Sequence, residues 1–414
     1  MGQRSVIVVG AGMIGLSTAW HLQERGVDVT VIDRTGVAAG SSRGNAGWLS
    51  PALTLPLNDP STLAAGVRAT LKSDSPVYLP MRSAPRLAGF LSSFTRNSTP
   101  ERWERSLRRL VQLSREALGA YAELADHDAR LATREAAAVT AAFADERGRE
   151  HLVDELEQLA RIGEKVEYHL LDERSLHDSS PHLGPGLTAG LAITGQRFID
   201  PGQYVQRLAD VVAERGGRII TGSAVVRVDA TAGGAAVRLD SGRAEQASQV
   251  VLANGAWLSR LARPQGVRTR VVAGRGYSFS VPCPESLTAP LYLPEARVAC
   301  TPLANGRLRV AGMMEFRSPD DPLDPRRITA IERSASPHLP GIDWRDRQEE
   351  WVGSRPCTAD GLPLLGRTRD EHVYVAGGHG MWGVALGPVS GRSMAELMCG
   401  ERDEGSLASF DPLR

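Results

Sequence analysis

The chain has 414 residues, 42% hydrophobic and 23% charged, a globular balance with length enough for two domains. Its 48 Lys and Arg are matched by 48 Asp and Glu, and this neutrality argues against a nucleic-acid or anionic-membrane surface as the main binding face. Four scattered cysteines, with no CxxC pair and no zinc spacing, give no metal site and suit a reducing cytosol better than a disulfide-rich secreted class.

Residues 5–10 (SVIVVG) form a short apolar run suited to a buried parallel strand. The run has no basic n-region and no small-residue cleavage site, so it is not read as a signal peptide. No stretch of about 18 apolar residues occurs anywhere, so no membrane span is expected. Gly10, Gly12 and Gly15 follow in the G-x-G-x-x-G spacing. The spacing predicts a helix from Met13 and Ile14 to Gln23, capped by Gly26, then a second strand over 27–33 with Asp33 at its tip. Gly10 permits the turn, Gly12 lets backbone approach a pyrophosphate, and Gly15 lets helix and strand close up. The helix N-terminus offers free N–H groups and positive dipole to phosphate. Asp33 stands 23 residues after Gly10, near the ~20-residue separation of a ribose-binding acid. Strand, glycines, helix, strand and acid together read as a dinucleotide site.

The next segment decides between FAD and NAD. Gly40-Ser41-Ser42-Arg43-Gly44-Asn45-Ala46-Gly47 is a small-residue loop that can wrap a pyrophosphate, where an NAD fold normally proceeds to another helix. Further along, Thr99 and Pro100 open an amphipathic helix with Trp103, Leu107, Leu110, Leu113 and Leu118 on or near its buried face. Strands at 218–220 and 224–228 and a buried strand ending in Asn254 and Gly255 are expected to complete the parallel sheet. Tyr277 precedes an alternating strand, where a half-buried packing aromatic and a substrate hydrogen-bond donor are equally good readings. Residues 298–302 and 308–313 flank Asn305-Gly306 as a hairpin with a two-residue turn, a sheet to roof the cofactor. Arg355, in Gly353-Ser354-Arg355-Pro356, has the fork that a carboxylate would need, but as one of many arginines it reads by itself as a solvated surface residue before a ligand-binding one. Finally a strand over 372–376 runs into Gly377-Gly378-His379-Gly380-Met381-Trp382-Gly383 and a small-residue helix to about Met398. Its N-terminus would stabilise a reduced flavin.

Taken together, the segments VIVVGAGMIGLSTAWHL, VTVIDR, SSRGNAGWLSP, RGYSFSV, RLRVAGMMEF, GSRPCTADGLPLLG and GGHGMWG, with the final FDP, resemble the D-amino-acid oxidase superfamily of flavoproteins. This is the glycine oxidase/sarcosine oxidase group, and the likeness is greatest to its D-amino-acid dehydrogenase branch. The resemblance spans Val6 to Pro412. It implies an α/β two-domain protein. A Rossmann-like FAD-binding domain with a parallel sheet (1–55, 195–265 and 350–414) would interleave with a substrate domain built on an antiparallel sheet (56–194 and 266–349). It implies non-covalent FAD, with Gly10, Gly12 and Gly15 on the pyrophosphate and Asp33 with Arg34 on the adenosine ribose. Ser41, Ser42, Asn45, Ala46 and Gly47 would line pyrophosphate and flavin. Val225 would meet the adenine, and Gly378, Gly380, Met381, Trp382 and Gly383 the flavin edge. Arg355 would hold a substrate carboxylate, with Tyr277 and His379 as further candidates in the site.

The implied reaction is oxidative deamination of a small amino acid, D-configured by family likeness. Hydride passes from Cα to flavin N5, and the imino product hydrolyses to an oxo acid. The acceptor is oxygen or a quinone-like carrier. The only lysines are Lys72 and Lys165, and the oxygen-promoting lysine of some relatives is absent after Lys165, which leans toward a dehydrogenase. Met381 stands where glycine oxidases resembling this chain place an arginine, which argues against glycine and for an apolar side chain. Cys357 falls several residues out of register for the covalent flavin link of sarcosine-oxidase relatives. The alternatives are oxidation of a secondary amine such as proline, hydroxyproline or sarcosine, and a non-catalytic FAD-binding subunit. An RNA-modifying flavoprotein is disfavoured by the neutral charge. A cytoplasmic location is expected, with peripheral attachment at the inner membrane face and the oligomeric state left open.

Overall fold

A computed structural model describes residues 4–60, 77–78, 84–231 and 233–414; Lys72 lies outside them. Two large sheets organise the chain. The first has six strands in the order Arg218–Ile220, Asp28–Ile32, Ser5–Val9, Gln249–Leu252, Val373–Gly377 and Leu364–Arg367. All neighbours are parallel except the last pair. The apolar run over 5–9 sits centrally, with Val6, Ile7 and Val8 buried on both faces, as a parallel strand between covering layers requires. On one face pack the helices Met13–Glu24, Pro201–Glu214 and Gly387–Cys399, through Leu16, Trp20, Val205, Leu208, Val389 and Met394. On the other lies a three-stranded antiparallel sheet, Val225–Thr231, Gly234–Leu239 and Ala244–Ala247. Its Val228 and Val237 meet Ile7, Val9 and Leu252.

The second sheet has nine strands and is mostly antiparallel. Gln348–Cys357 forms one edge, followed by Val272–Pro282, Arg307–Phe316, Val298–Pro302, Leu291–Leu293, Val139–Phe143, Ala189–Ile193 and Tyr168–Leu171, with the short Val77–Tyr78 beside Arg307–Phe316. The pairs Leu291–Leu293 with Val139–Phe143 and Val77–Tyr78 with Arg307–Phe316 run parallel. The fold is thus the expected α/β two-domain arrangement of a parallel-containing sheet and a largely antiparallel one.

Four details differ from the sequence reading. The segment after Gly222 leaves the parallel sheet and enters the small antiparallel one, because its alternation suits a sheet exposed on one side. A boundary at residue 350 falls inside a strand of the nine-stranded sheet, Gln348–Cys357, so the nucleotide domain resumes only beyond Cys357. Leu303 donates to Arg307 O (2.7 Å), which makes the hairpin loop three residues with Gly306 left-handed at φ 73°, rather than a two-residue turn. The helix opened by Thr99 spans Pro100–Ser114 and buries Trp103, Leu107, Leu110 and Leu113, but Leu118 belongs to the next helix, Ala117–His127. Among the described residues no helix is long and apolar enough to cross a membrane.

Candidate active site

The C-terminal ends of the six-stranded sheet open into a cleft. Such an end is where open α/β sheets bind ligands. The first wall is the glycine turn. Gly10 has φ 117°, and a Cβ there would sit 2.5 Å from Ala253 O. A Cβ on Gly15 would lie 1.9 Å from Gly10 O, so only glycine brings helix and strand this close. Gly15 therefore packs behind the cleft, whereas Gly10, Gly12, Met13 and Ile14 line it. Gly12 is the N-cap of the helix Met13–Glu24 and supplies no side-chain cap. Of the first-turn N–H groups, that of Met13 donates to Ser42 Oγ (3.2 Å). The terminus faces the cleft with its dipole available to an anion.

Asp33 lines the cleft, and its carboxylate also knots the chain: Oδ2 accepts from Ala11 N (2.9 Å), Oδ1 from Thr35 N (2.8 Å) and Gly36 N (3.0 Å). The Arg34 guanidinium carbon sits over the Trp257 indole, 3.8 Å from its centroid. Val225 and its neighbour Val226 continue this wall, the latter 54% exposed although apolar.

The 40–47 loop is held from the second sheet. Ser41 Oγ donates to Ser354 O, Ser278 Oγ to Gly44 O (2.8 Å) and Thr301 Oγ1 to Ala46 O (2.7 Å). Ser41, Ser42 and Asn45 line the cleft. Ala46 and Gly47 do not: Ala46 packs into a core beneath the loop, and Gly47 (φ 82°) backs against Ile199 O. At the far side, Asn254 and Gly255 end the fourth strand and line the cleft. His379, Gly380, Met381 and Gly383 line it from the C-terminal turn, with Gly380 N donating to Pro356 O (2.8 Å). Gly378 packs behind, against Thr358 and Leu364. Trp382 turns away, its Nε1 donating to Leu55 O (2.7 Å). The closing helix begins only at Gly387, after a turn through 381–386.

Of the three substrate-side candidates, two reach the cleft. Arg355, on Gln348–Cys357, lines it and lies over Gly276, where a Cβ would come within 2.2 Å of Cζ and Nη2. Its Nη1 donates to Met313 O (2.6 Å), a carbonyl turned by the left-handed Met313 (φ 65°). Burial holds its pKa below the ordinary arginine value. Among the described residues no carboxylate lies within ion-pair distance of it. Beside it an apolar wall joins Met314, Phe316, Phe90 and Met381. His379 is 3% exposed, pairs Nε2 with Ser390 Oγ (2.9 Å), and is pushed by burial down to about 3. Tyr277 is different. It is 1% exposed in the second sheet's core and donates to Glu315 Oε2 (2.6 Å); burial, then Glu315, raise its pKa well above the usual phenol range. Its strand position gave both readings, and packing won. Cys357 is likewise buried behind Gly274, raised by burial to about 11, and lines no part of the cleft.

The sequence reading missed Trp257 and Arg260, which line the cleft from the segment after Gly255. Their signal was present: they follow the strand-ending Asn254-Gly255 by three and six residues, on the turn and helix that leave the sheet edge. The walls fit a dinucleotide. Asn254 Oδ1 and His379 Nδ1 are buried polar atoms with no partner, and the cradle between them is built from glycines and a helix end whose N-cap is a glycine.

Comparison with known proteins agrees. Residues 5–397 match the family described as FAD dependent oxidoreductase. A D-amino acid dehydrogenase of Methylobacterium sp. (strain 4-46) is 31% identical over 414 residues, covering 98% of this chain and 97% of the relative. Glycine oxidase from Geobacillus kaustophilus superposes with a TM-score of 0.77 at 21% identity, covering 100% and 99% of the two chains. An L-α-glycerophosphate oxidase from Mycoplasma pneumoniae, solved with FAD bound, gives 0.71 at 18% identity, covering 96% and 95%.

Proposed function

This chain belongs to the FAD-dependent oxidoreductase family, and from that premise we propose that it oxidises the C–N bond of a D-amino acid with an apolar side chain, Arg355 holding the substrate carboxylate. The observation that carries the reading is Arg355 itself, a desolvated guanidinium at the cleft with no carboxylate of the described protein to balance it. A half-buried guanidinium with no carboxylate partner favours an anionic ligand. Nε and Nη2 are left for that ligand because Nη1 is engaged by Met313 O. The D-configured substrate follows the named activity of the relatives.

Bound FAD supplies a two-electron acceptor able to take hydride. The chain's own residues bind and orient. Arg355 fixes the carboxylate end of the substrate, and Pro356 restricts the strand just beyond it. Met381 lines the cleft with Met314 and Phe316 packed behind it, an apolar side that suits an apolar substrate side chain. Acid–base work by the protein is slight. Asp33 is the only carboxylate among the described lining residues, and backbone N–H groups already engage it. His379, with a pKa near 3, is a neutral hydrogen-bonding wall rather than a proton acceptor. The substrate therefore enters with its amine deprotonated by solvent. Electrons leave to a quinone-like carrier in preference to oxygen: among the described residues no lysine lines the cleft, and Lys165 is exposed elsewhere.

A panel of D-, L- and cyclic amino acids, assayed for oxo-acid production with a quinone-like dye and then in air, tests the reading. Turnover of apolar D-amino acids with the dye, and little in air, is the expected result. Turnover confined to proline, hydroxyproline or sarcosine, or none at all, would reject it.

A further inference from the structure

The nine-stranded sheet reaches the nucleotide cleft at a second place, away from Arg355. The strand Arg307–Phe316 continues into a loop that sets Asp320 against three cleft-lining residues of the other domain. Asp320 Oδ1 accepts from Trp257 Nε1 (2.8 Å) and Arg34 Nη1 (3.2 Å), and Oδ2 accepts from Arg260 Nη2 (3.0 Å). Arg34 is meanwhile stacked on Trp257. One carboxylate thus fixes both members of a cation–π pair and neutralises a neighbouring arginine. Asp320 does not itself line the cleft.

The loop's base is rigid. Arg275, 1% exposed, donates through Nη2 to Asp321 O (2.7 Å) and Pro322 O (2.9 Å), and Arg317 Nε lies 3.2 Å from Asp321 Oδ2. Arg327 and Tyr277 then join Glu315 beneath. A buried network therefore sets the height at which Asp320 is presented, which explains the charge spent inside the sheet without any call on catalysis.

The stacked pair stands next to Asp33 and across from the sheet end that carries His379. Strand order places Asp33 at the second strand and His379 just past the fifth. We propose that Asp320 is a positioning residue for the cofactor: it locks Arg34 and Trp257 into a flat wall against the adenosine half of FAD, so that the substrate sheet itself helps retain the nucleotide. This goes beyond the substrate reading and does not depend on it. Without Asp320, Arg34 and Arg260 share no anion and Trp257 loses its Nε1 acceptor, so the wall loosens. The added net positive charge alone would instead favour the diphosphate, so the sign of the effect separates wall from bulk charge.

The test is the rate at which the holoenzyme releases FAD on dilution, followed by the rise in flavin fluorescence. Asp320→Ala is expected to release FAD roughly tenfold faster, the scale of a small exposed ion-pair network plus one hydrogen bond. Asp320→Glu should restore most of the retention. Because Asp320 acts partly through the indole, Asp320→Ala combined with Trp257→Phe should speed FAD release by less than the product of the two single effects, which a merely structural role would not produce. Asp320→Asn keeps an acceptor for Trp257 and should fall between. Release within twofold of wild type, slower release, or fully additive effects in the double variant would each overturn the proposal. The readout is cofactor release, so its failure leaves the substrate assignment standing, and the converse holds.

Discussion

Gly276→Ala tests the placement of the carboxylate fork without touching the arginine. Gly276 pairs with Gly353 of the edge strand of the second sheet, and its φ is not in the left-handed region, so the backbone accepts alanine. The new Cβ would stand 2.2 Å from Cζ and Nη2 of Arg355 and 2.6 Å from Nη1. Ordinary contact begins near 3.4 Å, so the guanidinium must retreat by roughly an ångström. It is the far end of a flexible side chain, and the fold survives. The stability cost is the Nη1–Met313 O bond (2.6 Å), about 1 kcal/mol, partly offset by the stiffer unfolded chain. A misplacement of that size in an orienting group costs on the order of 100-fold in rate. Steady-state assays with a dye acceptor should show kcat/KM falling by about that factor, with FAD content and Tm close to wild type. A kcat/KM within about threefold of wild type, with full FAD loading, would refute the assignment of Arg355 as the substrate anchor.

Other outcomes follow from the same geometry. Arg355→Lys keeps the charge but loses the fork, so KM should rise about 100-fold with FAD retained; an unchanged KM rejects the fork. Asp33→Ala removes the acceptor of three backbone N–H groups and should leave the protein shedding FAD on gel filtration, read by the ratio of visible to ultraviolet absorbance. Tyr277→Phe should lower stability by about 1–3 kcal/mol in urea unfolding, since Glu315 loses a buried donor, and leave KM where it was; a raised KM would return Tyr277 to the site. Buried His21 and His379 both sit near pKa 3, below the unfolded value of about 6.5, so the unfolded chain binds protons that the native one refuses. Their stabilisation is complete above pH 6.5 and is lost as pH falls toward 3, at up to about 1.4 kcal/mol per pH unit for each. Urea midpoints of His21→Gln and His379→Gln should decline less steeply over that range than wild type, and parallel curves would contradict the assignment.

The parts of the site formed by local backbone geometry were legible in the sequence. Gly10, Gly12 and Asp33 follow from a turn, a helix end and a strand tip that are contiguous in the chain, and the cleft opens there. Most strands of the parallel sheet were legible for the same reason, whereas the interleaved two-domain architecture was legible through the resemblance of whole segments to a known superfamily. What escaped was set by tertiary packing. Tyr277 and a substrate-facing tyrosine look alike along a strand, and only the buried Glu315 decides between them. Ala46, Gly47 and Trp382 belong to the cleft-flanking segments but face a core cluster, Ile199 and Leu55 respectively, because each segment has two sides. The edge strand Gln348–Cys357 looked like nucleotide domain because it directly precedes nucleotide-domain strands; its ladder with Val272–Pro282 is long-range and leaves no local mark. Asp320 was invisible for the same reason, lying 286 residues from Arg34.

On the proposed reading, Arg355 holds a carboxylate-bearing D-amino acid beside FAD. Anaerobic mixing of the yellow holoenzyme with an apolar D-amino acid, its L-enantiomer and the corresponding carboxylate-free amine tests it in one experiment. Loss of the flavin's visible band with the D-amino acid alone is the predicted result; equal bleaching by the free amine, or none by the D-amino acid, would contradict it.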